Sequence, residues 1–193
     1  MIGLFEIFIT AFIVQNIVLA GFLGICPIIG VSKKQSSALG MGLAVMFVMM
    51  MASIITYFVY HGILDTFDLR FMRTVVFILI TASLVQFVEI IVKKFFPPLY
   101  KSLGLFLPLI ATNCAILGAI LLNVDRSLSF VEAMVNSFGI SAGFLLVIFI
   151  FSTLRERLDM SPHTPKGFKG VPIALIVSGI MAIAFMGFAG MGS

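Results

Sequence analysis

The chain has 193 residues, 61% hydrophobic and only 10% charged, where a soluble domain carries roughly 25% charged residues. With a mean hydropathy of +1.23, this excludes a soluble globular domain. The net charge of +4 sits in short connections rather than on one basic face, so it predicts lipid as the surroundings and no nucleic-acid partner.

A helix crossing a hydrocarbon core about 30 Å thick needs roughly 20 apolar residues. Six stretches qualify in chain order: Ile7–Val31, Leu39–Tyr60, Thr74–Val92, Leu103–Leu122, Ala133–Phe151 and Val171–Met191. Backbone in lipid must satisfy its own hydrogen bonds, and barrel strands would show alternating runs of about ten residues. The expected fold is therefore all-α and integral to the membrane, with six transmembrane helices in one domain over residues 1–193. The N-terminus lacks the basic region of a cleaved signal, and its apolar run is too long for one.

Segment one carries Gly21, Gly24, Pro27 and Gly30 around Cys26. Segment four carries Gly104, Pro108 and Gly118, with Thr112 and Asn113 directly before Cys114. Proline removes a backbone donor and glycine weakens a helix, so both segments are expected to be broken; ordinary kinks are the simpler alternative. Asn16 and Asn113 are expected to bond neighbouring helices, and Gln15 and Gln86 are the other uncharged polar residues picked out at depth. Glu89 stands one turn before Lys93 and is expected to pair with it. Gly139-x-x-x-Gly143 in segment five predicts a close helix contact, and Ser152–Gly170 is the longest polar connection.

Lys33, Lys34, Lys93, Lys94, Lys101, Arg155, Arg157, Lys166 and Lys169 fall in the first, third and fifth connections. Only Arg70, Arg73 and Arg126 fall in the second and fourth. This asymmetry predicts cytoplasmic odd connections and both termini outside.

Cys26-Pro-Ile-Ile-Gly30 and Cys114-Ala-Ile-Leu-Gly118 share a pattern and stand 88 residues apart. Each opens near the first spanning segment of a half, which divides the chain into repeat 1 (about 1–100) and repeat 2 (about 101–193). Three spans per half make this an inverted 3+3 repeat with broken helices 1 and 4, a plan used by transporters. Paired thiols at depth fit two roles: small buried hydrophobes or soft ligands to a metal. No Cys-x-x-Cys cluster, phosphate loop or facing carboxylate pair is present, and His61 and His163 fall in or beside loops. A hydrolase or nucleotide-driven pump is thereby excluded. A [2Fe–2S] cluster takes four protein ligands, usually Cys, so Cys26 and Cys114 would supply half of one. A secondary transporter and a scaffold with inert cysteines stay open as alternatives.

Phe22-Leu-Gly-Ile-Cys-Pro-Ile-Ile-Gly-Val-Ser-Lys-Lys34 and Gly104-Leu-Phe-Leu-Pro-Leu-Ile-Ala-Thr-Asn-Cys-Ala-Ile-Leu-Gly118 resemble the two signatures of the A subunits of the Rnf electron-transport complex. Leu154-Arg-Glu-Arg-Leu158 and the tail Ile173–Gly190 fit as well, so the resemblance spans essentially the whole chain. The E subunit of the sodium-pumping NADH:quinone reductase is similar, but its first signature usually lacks the proline that follows Cys26. The resemblance implies a bacterial inner-membrane, multi-pass subunit of a translocase that passes electrons between ferredoxin and NAD and moves Na⁺ or H⁺. It implies a [2Fe–2S] cluster ligated by Cys26 and Cys114 and by two cysteines of the paralogous E subunit. It also implies B, C, D and G subunits as partners, with flavins confined to sibling subunits.

Overall fold

A computed structural model of the protein describes residues 2–14, 16–32, 35–64, 72–95, 110, 113–160 and 170–189. Gln15, Lys33, Lys34, Arg70, Lys101, the Gly104–Pro108 stretch, Thr112, His163, Lys166 and Lys169 lie outside the described residues. All regular elements among the described residues are helical. They are α1 (Ile2–Ile9, continued by a wide π-type turn over Thr10–Val14), α2 (Ile25–Val31), α3 (Gln35–Val59, continued by a second wide turn over Tyr60–Leu64), α4 (Arg73–Phe95), α5 (Cys114–Asp125), α6 (Phe130–Met160) and α7 (Val171–Ala189).

Among the described residues, three helices are long and apolar enough to cross a membrane by themselves: Gln35–Gly62, Arg73–Ile90 and Phe130–Leu158. Gly3–Ile13, Cys114–Asp125 and Val171–Gly187 are shorter apolar helices. The fifth stretch extends well past its expected end at Phe151. Its helix runs on to Met160 because Arg155 in its last turns is buried against another helix instead of lying in a loop.

Segment one is broken as expected. Helix stops at Val14, residues 16–24 form turns, and helix resumes at Ile25. Within the break, the Asn16 carbonyl accepts from the N–H groups of Leu19 and Ala20, and that of Ile17 accepts from Gly21 and Leu23. The unwound backbone thus satisfies itself locally, the condition for non-helical chain at bilayer depth. Phe22 has φ of 52° and is more than half exposed, a left-handed conformation that is an outlier for a bulky residue.

α3 and α6 form the centre. Met41, Val45, Val48, Met49 and Ala52 recur at helical spacing on α3 and are fully buried, facing a set on α6 that includes Phe144, Ile148 and Phe151. The first segment lies along α6 through the small-residue motif. A Cβ on Gly139 would sit 3.0 Å from the Ala11 Cβ, and one on Gly143 would sit 2.9 Å from both the Phe12 carbonyl oxygen and Asn16 Nδ2. Phe47, Phe58, Leu79, Phe87 and Ile183 are exposed while Ser53, Asn123, Asn136 and Ser137 are buried. Large apolar groups outside and polar groups inside suit a chain whose solvent is lipid.

Two polar contacts fix the ends. Arg73 of α4 pairs with Asp125 of α5 at 2.7 Å, which places the start of α4 and the end of α5 at one end. Arg155 of α6 donates to the Ile29 carbonyl at 2.6 Å and to Ser32 Oγ at 2.8 Å, which places the end of α2 beside the end of α6. Gly3, Glu6 and Thr10 line a cavity with Arg126 and Leu128, so α1 starts at the first of these ends. The interrupted segment therefore traverses the bundle from one end to the other.

Candidate functional site

The two cysteines sit at the starts of short helices, not deep inside long ones. Cys114 is the first residue of α5 and is half-buried. Cys26 is the second residue of α2 and is exposed. The opposite side of α2, through Pro27, Ile28 and Val31, is buried. Cys26 therefore presents its thiol away from the core of this chain.

One contact joins the two elements. The backbone N–H of Gly24, two residues before Cys26, donates to Cys114 Sγ at 2.9 Å. Gly24 precedes α2 with φ of 87° and ψ of 17°, a left-handed conformation open to glycine at no steric cost. A Cβ there would lie 2.9 Å from Phe144 Cε2 and 3.1 Å from the Ala115 Cβ. Glycine is thus required twice, for conformation and for space.

Gly118 explains the second copy of the Cys-x-x-x-Gly pattern. It stands one turn after Cys114, and a Cβ on it would meet Leu23 Cδ1 at 3.0 Å and Ile17 Cδ1 at 3.1 Å. The missing side chain lets the break in segment one lie flat against α5, which carries Gly24 to the sulfur.

Among the described residues, Asn16 and Asn113 bond locally rather than between helices. Asn113 caps α5, its Oδ1 accepting from the Ala115 N–H at 3.0 Å. Asn16 does the same in the break, accepting from the Val18 N–H at 3.1 Å and donating from Nδ2 to the Phe12 carbonyl at 3.3 Å. The difference from expectation arises because broken helices expose their own terminal N–H groups, which a short amide side chain reaches first. Asn113 Nδ2 is buried with no hydrogen-bond partner. A buried donor unpaired among the described residues calls for a further acceptor, and this one belongs to the residue preceding Cys114.

Arg155 is a second finding that the charge pattern alone did not disclose. It is 3% exposed, and its bonds to Ile29 and Ser32 hold the carbonyl end of α2. A cation there complements both the free carbonyls and the helix dipole. Its Nε and the Ser152 Oγ one turn earlier are buried without partners among the described residues.

A separate polar cluster lies between α3, α5 and α6. Asn123 Nδ2 donates to Ser137 Oγ at 2.8 Å and Ser53 Oγ at 3.2 Å, and reaches the Ala133 carbonyl at 3.4 Å. Asn136 Nδ2 donates to Asn123 Oδ1 at 2.7 Å, and Ser137 Oγ donates to Ser53 Oγ at 2.9 Å. These four residues escaped the sequence reading because they are scattered through apolar runs on three helices, Asn136 and Ser137 side by side; only their shared facing side gives them away.

Among the described residues no three His, Cys, Asp or Glu side chains come together to hold a metal. A metal centre at Cys26 and Cys114 would need further ligands from a second chain, and an outward-facing Cys26 leaves that approach open. The donor set of two soft cysteine sulfurs, a backbone N–H directed at one of them and a spare buried amide N–H suits a cluster of iron and sulfide.

The family model described as "Rnf-Nqr subunit, membrane protein" matches residues 4–192. The chain is 53% identical over 185 residues to the A subunit of the Na(+)-translocating ferredoxin:NAD(+) oxidoreductase complex of Acetobacterium woodii, covering 96% of both chains. It is 51% identical over 189 residues to the A subunit of the ion-translocating oxidoreductase complex of Syntrophotalea carbinolica, covering 98% of this chain and 97% of the relative. The A subunit of the same description from Vibrio vulnificus is 50% identical over 179 residues, 93% of each chain. The chain belongs to the Rnf-Nqr family of membrane subunits.

Proposed function

We propose that this chain is the A-type membrane subunit of an ion-translocating ferredoxin:NAD oxidoreductase, and that Cys26 and Cys114 supply half the ligands of an intramembrane [2Fe–2S] cluster shared with a paralogous E subunit. The names of relatives about half identical over nearly the whole chain support the first part. The observation that carries the second is the Gly24 N–H bond to Cys114 Sγ, which draws the two cysteine-bearing helix starts to one place.

When bound, such a cluster supplies one-electron transfer at a depth that soluble carriers cannot reach. The residues of this chain have four tasks there. Cys114 and Cys26 offer soft ligands from two helices. Gly24 donates to a sulfur and keeps the helix starts in register. Asn113 fixes the first turn of α5 and leaves its Nδ2 to donate. Arg155 holds the far end of α2 and so the orientation of Cys26. Coupling to Na⁺ or H⁺ movement follows in this reading from a shift of the short helices α2 and α5 relative to the long pair α3 and α6. The chain sits in a bacterial inner membrane with the Arg155 end in the cytoplasm, and the two halves form an inverted 3+3 repeat of six spans.

Cys26→Ala and Cys114→Ala in the assembled complex test the reading. Alanine offers no ligand, and the change in packing volume is small because a free cysteine behaves as a small hydrophobe. Each substitution should remove the same electron paramagnetic resonance signal and the same share of iron, and abolish ferredoxin-to-NAD electron flow. Cys→Ser should leave a damaged centre of altered potential. An assembled variant with full activity and an unchanged iron signal makes that cysteine structural and ends the proposal.

A further inference from the structure

A cavity of about 240 Å³ opens beyond the polar cluster, at the end of the bundle that holds the Arg73–Asp125 pair. Its walls come from the last turns of α3, the end of α5 and the start of α6, and include Ser53, Thr56, Tyr57, Tyr60, His61 and Asn123. The volume has room for several water molecules with polar partners. Polar groups buried in membrane helices are costly and mark either helix packing or a pathway.

The hydrogen bonds separate these two uses. Asn123 directs its amide protons to Ser53, Ser137 and Ala133, which is packing. Thr56 is 2% exposed and gives its proton to the Ala52 carbonyl at 2.6 Å, so its oxygen is left as an acceptor on the cavity wall. Tyr57 and Tyr60 line the same cavity. Thr56 keeps an oxygen lone pair for the space, the hydroxyls of Tyr57, Tyr60 and Ser127 can accept as well as donate, and among the described residues the only basic side chain in the lining is His61, with neither Lys nor Arg. No side chain of fixed positive charge in that described lining stands against a cation. The described lining also holds no carboxylate, so a cation would keep part of its water and leave readily, as conduction requires. Doubly charged ions favour carboxylate cages or tightly held waters, which leaves a singly charged ion.

We propose that this cavity is a water-filled vestibule that binds a partly hydrated monovalent cation at Thr56, with the tyrosine oxygens completing its shell. The Asn123 cluster is its floor. Ile120 and Asn123 on the walls are six and nine residues along α5 from Cys114, or about 9 and 13 Å at a helical rise. The vestibule thus approaches the cysteine junction from the end opposite Arg155. The inference rests on the ion-translocation part of the function proposed above and is independent of what the cysteines bind.

The test uses the assembled complex in membrane vesicles of known sidedness. Ser53→Cys and, at a more tolerant wall position, Tyr57→Cys are treated with a membrane-impermeant methanethiosulfonate, with the parent complex as the background for Cys26 and Cys114. The expected result is modification from the face bearing the Arg73–Asp125 end, slowed several-fold by sodium relative to choline at equal ionic strength. Adding Thr56→Val should abolish the sodium protection while leaving modification intact, and Thr56→Ser should restore it. Failure of both cysteines to react, or reaction only from the other face, makes the cavity dry or closed and overturns the proposal. Reaction at equal rates in sodium and choline, or protection that survives Thr56→Val, removes the cation site. Neither probe touches the cysteine junction, so those results leave the iron–sulfur reading standing.

Discussion

Gly24→Ala is the smallest change that separates the junction from ordinary helix packing. Two costs combine. A non-glycine residue held at φ of 87° loses about 1–2 kcal/mol. The new methyl would stand 2.9 Å from Phe144 Cε2, closer than real Cβ contacts come. Phe144 is fully buried, so its ring has little room to turn away, and overpacking of this kind costs about 1–3 kcal/mol. The sum is roughly 2–5 kcal/mol, a large part of a typical domain's stability. The backbone can relieve it by moving residue 24 away from Phe144, which lengthens the 2.9 Å bond to Cys114 Sγ.

Gly179→Ala is the control. No heavy atom lies within 4 Å of a Cβ there, and alanine favours a helix interior by about 1 kcal/mol over glycine. Both variants are made in the assembled complex and compared by resistance to thermal aggregation in detergent and by the paramagnetic signal of the iron centre. Gly24→Ala should lower the aggregation temperature and shift or broaden the signal, while Gly179→Ala should do neither. A Gly24→Ala complex as stable as its parent, with an unchanged signal, would refute both the strain argument and the role of the N–H···S bond.

Arg155→Met should destabilise the complex by about 1.5–3 kcal/mol, the range for a hydrogen bond to a charged group; Arg155→Lys should recover only part of this, and equal aggregation temperatures for all three would remove Arg155 as the anchor of α2. Asn113→Ala should cost about 1 kcal/mol as a lost helix cap. Asn113→Asp keeps an acceptor for the Ala115 N–H but replaces the unpartnered amide donor with oxygen, so redox titration of the iron signal should give a lower midpoint potential; an unchanged potential rules out donation from Nδ2 to the centre. Reporter fusions should be active outside at the C-terminus and inside near Lys34, and a cytoplasmic signal at Ser193 would invert the assigned orientation.

The apolar all-helical class, three of the six expected spans and the break in segment one were legible because they depend on local composition. Lipid demands runs of apolar residues, and clustered glycine and proline weaken a helix wherever they stand. The Gly139-x-x-x-Gly143 contact was legible for the same reason, since two small residues on one face leave a groove whatever fills it. Arg155 was misplaced in a connection because charge normally ends a membrane helix. Only the free carbonyls of α2, far away in sequence, make a buried guanidinium tolerable there. The Ser53, Asn123, Asn136 and Ser137 cluster was hidden because each residue satisfies another on a different helix, and scattered polar residues in apolar runs carry no such address. The capping roles of Asn16 and Asn113 were missed for a related reason: the points where helix stops and resumes decide which backbone N–H groups need a partner.

α5 connects these observations. It is twelve residues long, about 18 Å at a helical rise, and too short to span alone. Its start is fastened by the Gly24 bond to Cys114 and by the Asn113 cap. Near its end, Asn123 is fastened to Ser53 of α3 and to Asn136 and Ser137 of α6. Between these anchors Ala115, Ile116, Ala119 and Ile120 are buried, and apolar packing between small and branched side chains sets no direction along the axis. Hydrogen bonds do set one, because they fail within a few tenths of an ångström. A change of charge at the sulfur alters the strength of the bond at one anchor and leaves the other as it was. The helix must then either stretch that bond or transmit the shift to Asn123, whose bonds form the floor of the vestibule. Under the proposed cluster and cation site, a rigid helix between two polar anchors is a physical route from a redox change beside Cys114 to the cavity about 13 Å away, roughly nine residues of helix.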